Sequence, residues 1–260
     1  MSEAISKAGC RVAISGNGAD ELFTGYYDHY SFWLAEMKNK NSFVNLQSDW
    51  QKSYGAYVQN PVLQDPLVFF KNPLERGHIF LNSETFNAWL HDPFEETFEE
   101  SEYSNNLLRN RMLNEIRHET IPVILHEDDR NSMYYSVENR SPYLDRDLAE
   151  FLFQIPPEFL IKNGYVKYLL RAAGTGFVSN NVLWDKRKRG FNAPIDHLVD
   201  RKDKVTREHL MADGPIFDIV RKDEIESYLN SDLTDNSFSK NLFSFISAKL
   251  FLEHYQDWNP

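Results

Sequence analysis

The spacing of apolar positions predicts a mostly helical chain. In several segments apolar residues recur every three or four positions, which is the period of one helix face. Thr120 followed by Ile121-Pro122 predicts a helix N-cap with a proline in the first turn, and Asp145 is expected to cap a short helix. We expect helices at about residues 2–8, 105–118, 120–136, 145–152, 167–173 and 237–255.

A short apolar run near the N-terminus, Val12-Ala13-Ile14, predicts a strand. The run is too apolar for a solvated edge, so we expect it to be buried in a parallel sheet covered by helices. One strand alone cannot satisfy its backbone hydrogen-bonding groups. The partner strands either lie unrecognised in the aromatic segments or belong to residues outside this sequence.

Composition and charge indicate an ordinary globular protein. The 260 residues are 42% hydrophobic and 26% charged, which suits one large domain or two small ones. The net charge of -11 argues against nucleic acid or an anionic membrane as a general partner. Cys10 is the only cysteine, which excludes intrachain disulfides and clustered-cysteine metal sites. With no recognisable signal peptide or membrane-spanning run, we expect a cytoplasmic protein.

The first candidate site, SGNGADE at residues 15–21, directly follows the predicted strand. Gly16 and Gly18 would let backbone N–H groups approach an anion at the start of a helix. Asp20 could instead hold Mg²⁺, which prefers one or two carboxylates together with phosphate oxygens. The alternative is an ordinary helix start whose acidic residues interact favourably with the helix dipole.

The second candidate site, EDDRNSMYYSVENRSPYLD, covers residues 127–145. Arg130 and Arg140 could grip a phosphate or carboxylate group with their forked donors. Glu138 could orient an arginine or act as a base. The alternative is a buried salt-bridge network at the end of a helix.

The third candidate site is the basic stretch DKRKRGFNAP at residues 185–194. Its four consecutive cations, at 186–189, could neutralise the phosphates of ATP or a pyrophosphate leaving group. The alternatives are a solvated basic turn and a nucleic-acid patch. The acidic net charge and the lack of interleaved aromatic residues argue against the patch.

Taken in order, these segments resemble the C-terminal synthetase domain of the glutamine-hydrolysing asparagine synthetase family. The family signature S-G-x-G-x-D-E-L-F-x-G-Y is matched at residues 15–26, and D-R-x-S-M with V-E-x-R-x-P-x-L-D at 129–145. K-x-G-F is matched at 188–191, and residues 167–171 resemble K-x-x-L-L-R with one residue fewer. The resemblance covers about residues 5–200.

The resemblance implies an α/β fold of the adenine nucleotide alpha-hydrolase (PP-loop ATP pyrophosphatase) type. Here that fold would be represented mainly by its helical C-terminal part, with one or few parallel strands. We expect the domain portion at residues 1–200 and a helical extension at 201–260 packed on it. The implied reaction uses ATP and Mg²⁺ to convert a carboxylate to an acyl-adenylate, releasing pyrophosphate, after which ammonia displaces AMP.

The resemblance also implies roles for individual residues. Asp20 would be a ligand of Mg²⁺ and pyrophosphate, and Lys188 would stabilise charge on the adenylate and pyrophosphate. Asn17 takes the catalytic position where asparagine-forming members carry glutamate, although an amide cannot act as a carboxylate base. The acyl-adenylate site would comprise Ser15, Gly16, Gly18, Glu138 and Arg140, of which the last two brace the site.

Two family features are absent from the 260 residues: the ATP loop S-G-G-x-D-S and the glutaminase domain with its N-terminal cysteine. We therefore expect a fragment or one part of a split enzyme, inactive alone. Its partners would be aspartate or a related acid, ammonia from glutamine through a glutaminase domain outside this chain, and a complementary N-terminal chain. The alternative is a non-catalytic module that pairs with a chain carrying the missing strands.

Overall fold

A computed structural model describes residues 1–79, 83–93, 98–187, 195–232 and 236–255. Most of these residues are helical, as the apolar spacing predicts. The helices in chain order are α1 (Ser2–Lys7), α2 (Ala19–Phe23), α3 (Tyr27–Glu36), α4 (Phe43–Lys52), α5 (Val68–Lys71), α6 (Ser83–Trp89), α7 (Leu107–Arg117), α8 (Thr120–Met133), α9 (Arg146–Gln154), α10 (Tyr168–Ala173), α11 (Asn180–Leu183), α12 (Lys204–Leu210), α13 (Lys222–Asn230) and α14 (Asn236–His254). The strands are β1 (Val12–Ile14) and β2 (Glu138–Arg140).

The chain forms two compact units. The first contains Met1–Glu75 and Glu99–Lys188, and the second contains Arg76–Phe98 and Arg189–Pro260. Residues 76–98 thus group with the C-terminal part of the chain. The predicted division into residues 1–200 and 201–260 stays a prediction.

The predicted strand is present, and its partner is β2, which the sequence did not reveal. The two strands are parallel, with Val12 beside Glu138 and Ile14 beside Arg140. The predicted burial of the strand is wrong, because Val12 is 51% and Ile14 is 77% exposed. Side chains alternate across a sheet, so these two residues share the exposed face with Glu138 and Arg140.

The core of the first unit is built around α3. Phe32 and Leu34 are fully buried, and the Phe32 ring stacks on Phe69 of α5 with centroids 3.6 Å apart. Helix α7 packs on α3 and buries Leu108 and Met112 completely. The predicted helical face of residues 105–118 is therefore confirmed.

The helices that carry the second candidate motif also follow the prediction. Helix α8 begins at Thr120, so its N-cap is Glu119 and not Thr120 as predicted, and it ends at Met133, three residues earlier than expected. Ser136 has a positive φ of 55°, and the turn it forms leads directly into β2. The Asp145 side chain caps α9, accepting a hydrogen bond of 3.0 Å from the Leu148 N–H, as predicted.

The second unit has its own core, formed by α6, α12, α13 and α14 together with short 3₁₀ turns. Buried members include Trp89, Ile225 and Leu229. Lys249 of α14 is also buried, and its Nζ donates to the Ala212 carbonyl at 3.0 Å and to Glu253 Oε1 at 2.6 Å. Across the described parts of both units, no helix is long and apolar enough to cross a membrane.

Candidate functional site

The glycine turn, residues 15–18, joins the carboxyl end of β1 to the N-terminus of α2. The Ser15 N–H donates a hydrogen bond of 2.8 Å to the Arg140 carbonyl oxygen at the end of β2. The hydroxyl groups of Ser15 and Ser141 lie 3.0 Å apart. The first and second candidate motifs therefore meet where both strands end, which is the edge at which α/β proteins bind ligands.

The two glycines of the turn have different structural requirements. Gly18 caps α2 with a φ of 90°, and a Cβ added there would lie 2.4 Å from Leu144 Cδ2. Glycine is therefore required at position 18 both for its backbone conformation and for its contact with Leu144. A Cβ added at Gly16 would meet no atom within 4 Å, so the space beside this residue is open to a ligand.

The side chain of Asn17 forms a hydrogen bond with a residue outside the turn. Its Nδ2 donates a hydrogen bond of 2.6 Å to Asp128 Oδ2 from α8. The same carboxylate oxygen accepts a bond of 3.1 Å from Asn139 Nδ2 at the centre of β2. One carboxylate thus links the turn, helix α8 and strand β2.

Asp20, the predicted metal ligand, forms an ion pair with Lys167, in which Oδ1 and Nζ lie 2.5 Å apart. Both side chains are partly accessible, at 31% for Asp20 and 26% for Lys167. A Cβ added at Gly25 would lie 1.6 Å from Asp20 Oδ1 and 2.5 Å from Lys167 Cε. The missing side chain at position 25 therefore provides the space for this pair.

The residues around Asp20 fit a site for Mg²⁺ and phosphate groups. A single carboxylate suits Mg²⁺, which takes most of its ligands from water and phosphate oxygens. The Lys167 ammonium group adds a positive charge for the phosphates. The pairing of these two residues was not evident from the sequence, although both lie in segments that carry the resemblance.

Glu138 and Arg140 lie on the exposed face of β2, where Arg140 Nη2 donates to Glu138 Oε2. Their side chains are 53% and 65% accessible. The alternative of a buried salt-bridge network is therefore wrong for this pair. The backbone carbonyl of Arg140 accepts the Ser15 N–H and so contributes to positioning the glycine turn.

The basic stretch is described only up to Arg187, and the predicted catalytic residue Lys188 lies outside the described residues. Arg187 forms an ion pair with Asp185 at 2.9 Å, and the hydrogen bond and charge of Asp185 raise the pKa of Arg187. Lys186 Nζ lies 4.6 Å from the centroid of the Tyr165 ring, a cation–π contact.

A buried charged network, which the sequence did not reveal, includes side chains of α3 and α7. The Arg111 guanidinium is 4% accessible and contacts four carboxylates, those of Asp28, Glu100, Glu115 and Glu119. Burial alone would lower the pKa of Arg111, but the bond to Glu119 and the surrounding negative charges outweigh it and raise the pKa. These residues are scattered along the sequence, so no spacing pattern could indicate the network.

Asp28, His29 and Glu115 in this network have potential metal-ligating atoms within 4.8 Å of one another. The guanidinium of Arg111 already supplies positive charge there, with Nε 3.5 Å from Asp28 and 3.2 Å from Glu115. The fully buried His29 ring lies 2.8 Å from Glu115 Oε2. We therefore interpret the cluster as structural rather than as a metal centre.

The sequence as a whole matches a known family. The family model of asparagine synthase matches residues 1–253. The chain belongs to the asparagine synthase family. The match covers nearly the whole chain and includes the glycine turn, both strands and the Asp20–Lys167 pair.

The chain is also similar to two curated relatives. Asparagine synthetase [glutamine-hydrolyzing] 1 of Bacillus subtilis (strain 168) is 29% identical over 253 residues, covering 87% of the chain and 38% of the relative. Amidase chry2 of Gibberella zeae is 21% identical over 226 residues, covering 75% of the chain and 34% of the relative. The chain thus spans little more than a third of the length of either relative.

Proposed function

We propose that this asparagine synthase family chain contributes one side of a site at which ATP adenylates a carboxylate and ammonia then forms an amide. The products would be the amide, AMP and pyrophosphate. The observation that carries the proposal is the position of the glycine turn. It lies at the carboxyl ends of β1 and β2 and leads into α2, whose Asp20 pairs with Lys167.

We assign the phosphate side of the site to Asp20 and Lys167. The Lys167 side chain, which is 26% accessible, would meet an anionic phosphate group, and Asp20 would hold Mg²⁺. When bound, Mg²⁺ would offset negative charge on the ATP phosphates and the departing pyrophosphate. We assign charge stabilisation on the adenylate and pyrophosphate to Lys188 as well, on the basis of the K-x-G-F motif alone.

We assign the acyl-adenylate to the glycine turn. The open space beside Gly16 would admit the ligand, while Ser15 and Gly18 fix the backbone around it. Glu138 and Arg140 brace the turn, since the Arg140 carbonyl accepts the Ser15 N–H. Aspartate or a related acid is the proposed substrate, and ammonia would come from glutamine through a glutaminase domain, as the name of the Bacillus relative suggests.

We propose that the ATP loop S-G-G-x-D-S is supplied by another segment or chain. The exposed face of β1 supports this arrangement, since Val12 and Ile14 present apolar side chains where the family fold would place more sheet or covering helices. Each relative is more than twice as long as its matched region, which leaves room for such a segment in those proteins.

The test is carboxylate-dependent exchange between ATP and pyrophosphate. We expect none from the purified 260-residue chain, and exchange when it is combined with a polypeptide that carries the S-G-G-x-D-S loop. We call this combination the reconstituted enzyme. Exchange by the chain alone at rates typical of a ligase would contradict the proposal that a second polypeptide supplies part of the site.

A second candidate function is a non-catalytic interaction module, which the exposed apolar side chains of Val12 and Ile14 favour. In that case the chain would bind a partner through this face, and the complex would show no exchange. Substituting Ile14→Asp should then abolish binding. Binding that depends on Ile14 and is accompanied by exchange favours the catalytic proposal.

A further inference from the structure

Asp128 places a carboxylate beside the glycine turn, next to the side chain of Asn17. Residues 15–18 of the turn, Ser-Gly-Asn-Gly, include no acidic side chain. Glutamate is one methylene group longer than asparagine, which extends its reach by about 1.5 Å. Asp128 Oδ2 lies 2.6 Å beyond Asn17 Nδ2, so it occupies the region that a glutamate side chain at position 17 would approach.

The surroundings of Asp128 leave its negative charge available. Its Oδ2 accepts hydrogen bonds from two neutral amides, those of Asn17 and Asn139. No lysine, arginine or histidine within the described ranges forms an ion pair with it. Amide donors fix the position of a carboxylate without neutralising it, which is what a proton acceptor in a site requires.

We propose that Asp128 is the catalytic carboxylate of the glycine turn and accepts the proton of the attacking nitrogen. This inference rests on the proposed function. In this arrangement Asn17 is the positioning residue, and Asp128 is the base.

Ammonia attacks the carbonyl carbon of the acyl-adenylate, a C–N bond forms, and the carbonyl electron pair moves to oxygen. The nitrogen then carries a positive charge, and Asp128 accepts one of its protons. When the carbonyl re-forms, the bond from carbon to the phosphate oxygen breaks, and AMP leaves with that electron pair.

The placement of the carboxylate can be tested on the 260-residue chain without any activity. In a ¹⁵N-labelled sample, the side-chain amide resonance of Asn17 should differ in position between the wild type and Asp128→Asn, because the variant replaces the carboxylate acceptor of its hydrogen bond with an amide. The resonance should keep its wild-type position in Glu127→Gln, which removes an exposed carboxylate from the preceding position of α8. An Asn17 resonance that behaves alike in the wild type and in Asp128→Asn overturns the inference.

The catalytic role is tested by comparing two activities of the reconstituted enzyme. Asp128→Asn should lower amide formation from ammonia by about 10²-fold or more, while carboxylate-dependent exchange, which precedes the nitrogen step, changes little. Combining Asn17→Glu with Asp128→Asn should restore amide formation, because a carboxylate returns to the same region.

Retained amide formation in Asp128→Asn would overturn the catalytic role. Absence of exchange in the wild-type reconstituted enzyme would overturn the proposed function, and with it this role. The resonance of Asn17 still decides where the carboxylate lies, so the two failures are distinguishable.

Discussion

Asp20 Oδ1 lies 2.5 Å from Lys167 Nζ, in space that exists because residue 25 has no side chain. The pair joins the start of α2, just after the glycine turn, to the residue that precedes α10. It brings an acidic and a basic side chain from distant segments to one point, and both stay partly accessible. The phosphate side of the proposed site depends on this relationship.

Gly25→Ala should displace the Asp20–Lys167 pair. The added Cβ would clash with the mobile ends of these two side chains, so we expect a stability loss of no more than about 1–3 kcal/mol. The rate of exchange by the reconstituted enzyme should fall strongly, although the free energy of unfolding changes only modestly. Gly214→Ala is a matched control, because its added Cβ would have only an ordinary contact of 3.4 Å with Glu253. Undiminished exchange in Gly25→Ala would show that the Asp20–Lys167 pair does not contribute to catalysis.

Gly18→Ala should destabilise the chain more than Gly176→Ala does. Both glycines have a positive φ, 90° and 89°, so both substitutions strain the backbone to a similar extent. Only Gly18 faces Leu144, at 2.4 Å from an added Cβ, whereas Gly176 faces open space. The difference should be about 1–3 kcal/mol in denaturant unfolding. Equal losses would mean that Leu144 does not pack against the turn.

Arg111→Met should lower the free energy of unfolding by about 3–5 kcal/mol, because it leaves buried carboxylates without their cation. Arg146→Met is the matched control. Arg146 forms an exposed pair with Glu150 in α9, and such pairs contribute about 0.3–0.5 kcal/mol. Urea unfolding of both variants measures the contrast, and similar losses would refute the central role of Arg111.

Stability should fall as pH rises above neutrality, and His29 should be one cause. Burial alone would lower the pKa of His29, but the charge of Glu115, the hydrogen bond to it and the charge of Asp28 outweigh burial and raise the pKa. Burial has the opposite effect on a carboxyl group, and it raises the pKa of Glu115. A raised pKa in the folded state means that folding takes up protons.

The contribution of His29 is therefore fully present below its ordinary pKa of about 6.5 and is lost as pH rises through the folded value. That of Glu115 has the same sign and begins to be lost above about 4.3. His29→Gln should flatten the decline in unfolding free energy as pH rises above about 6.5. An unchanged slope in His29→Gln would rule out this source, and Glu115→Gln provides a second variant should His29→Gln fail to fold.

The sequence predicted the parts of the fold that local patterns control. Helices α7 and α8 follow from apolar spacing and a proline in the first turn, and the Asp145 cap follows from a single side chain. Strand β2 was missed because its three residues, Glu138–Arg140, are polar, and its pairing with β1 spans more than a hundred residues. The burial predicted for Val12 was wrong because strand sequence alone does not show whether a sheet is covered.

Like the fold, the candidate site was only partly predictable from the sequence. The ordered motifs located Ser15, Asn17 and Asp20, and the structure brings Ser15 to the end of β2. The contact of Asn17 with Asp128 depends on how α8 packs beside the turn, which no spacing reveals. The Asp20–Lys167 pair likewise depends on tertiary structure.

The most direct test of the central claim is carboxylate-dependent ATP–pyrophosphate exchange by the reconstituted enzyme, compared between the wild type and Asp20→Asn. The account predicts exchange in the wild type, a strong loss in Asp20→Asn with little change in folding, and none from the 260-residue chain alone. Equal exchange in the wild type and Asp20→Asn would contradict it.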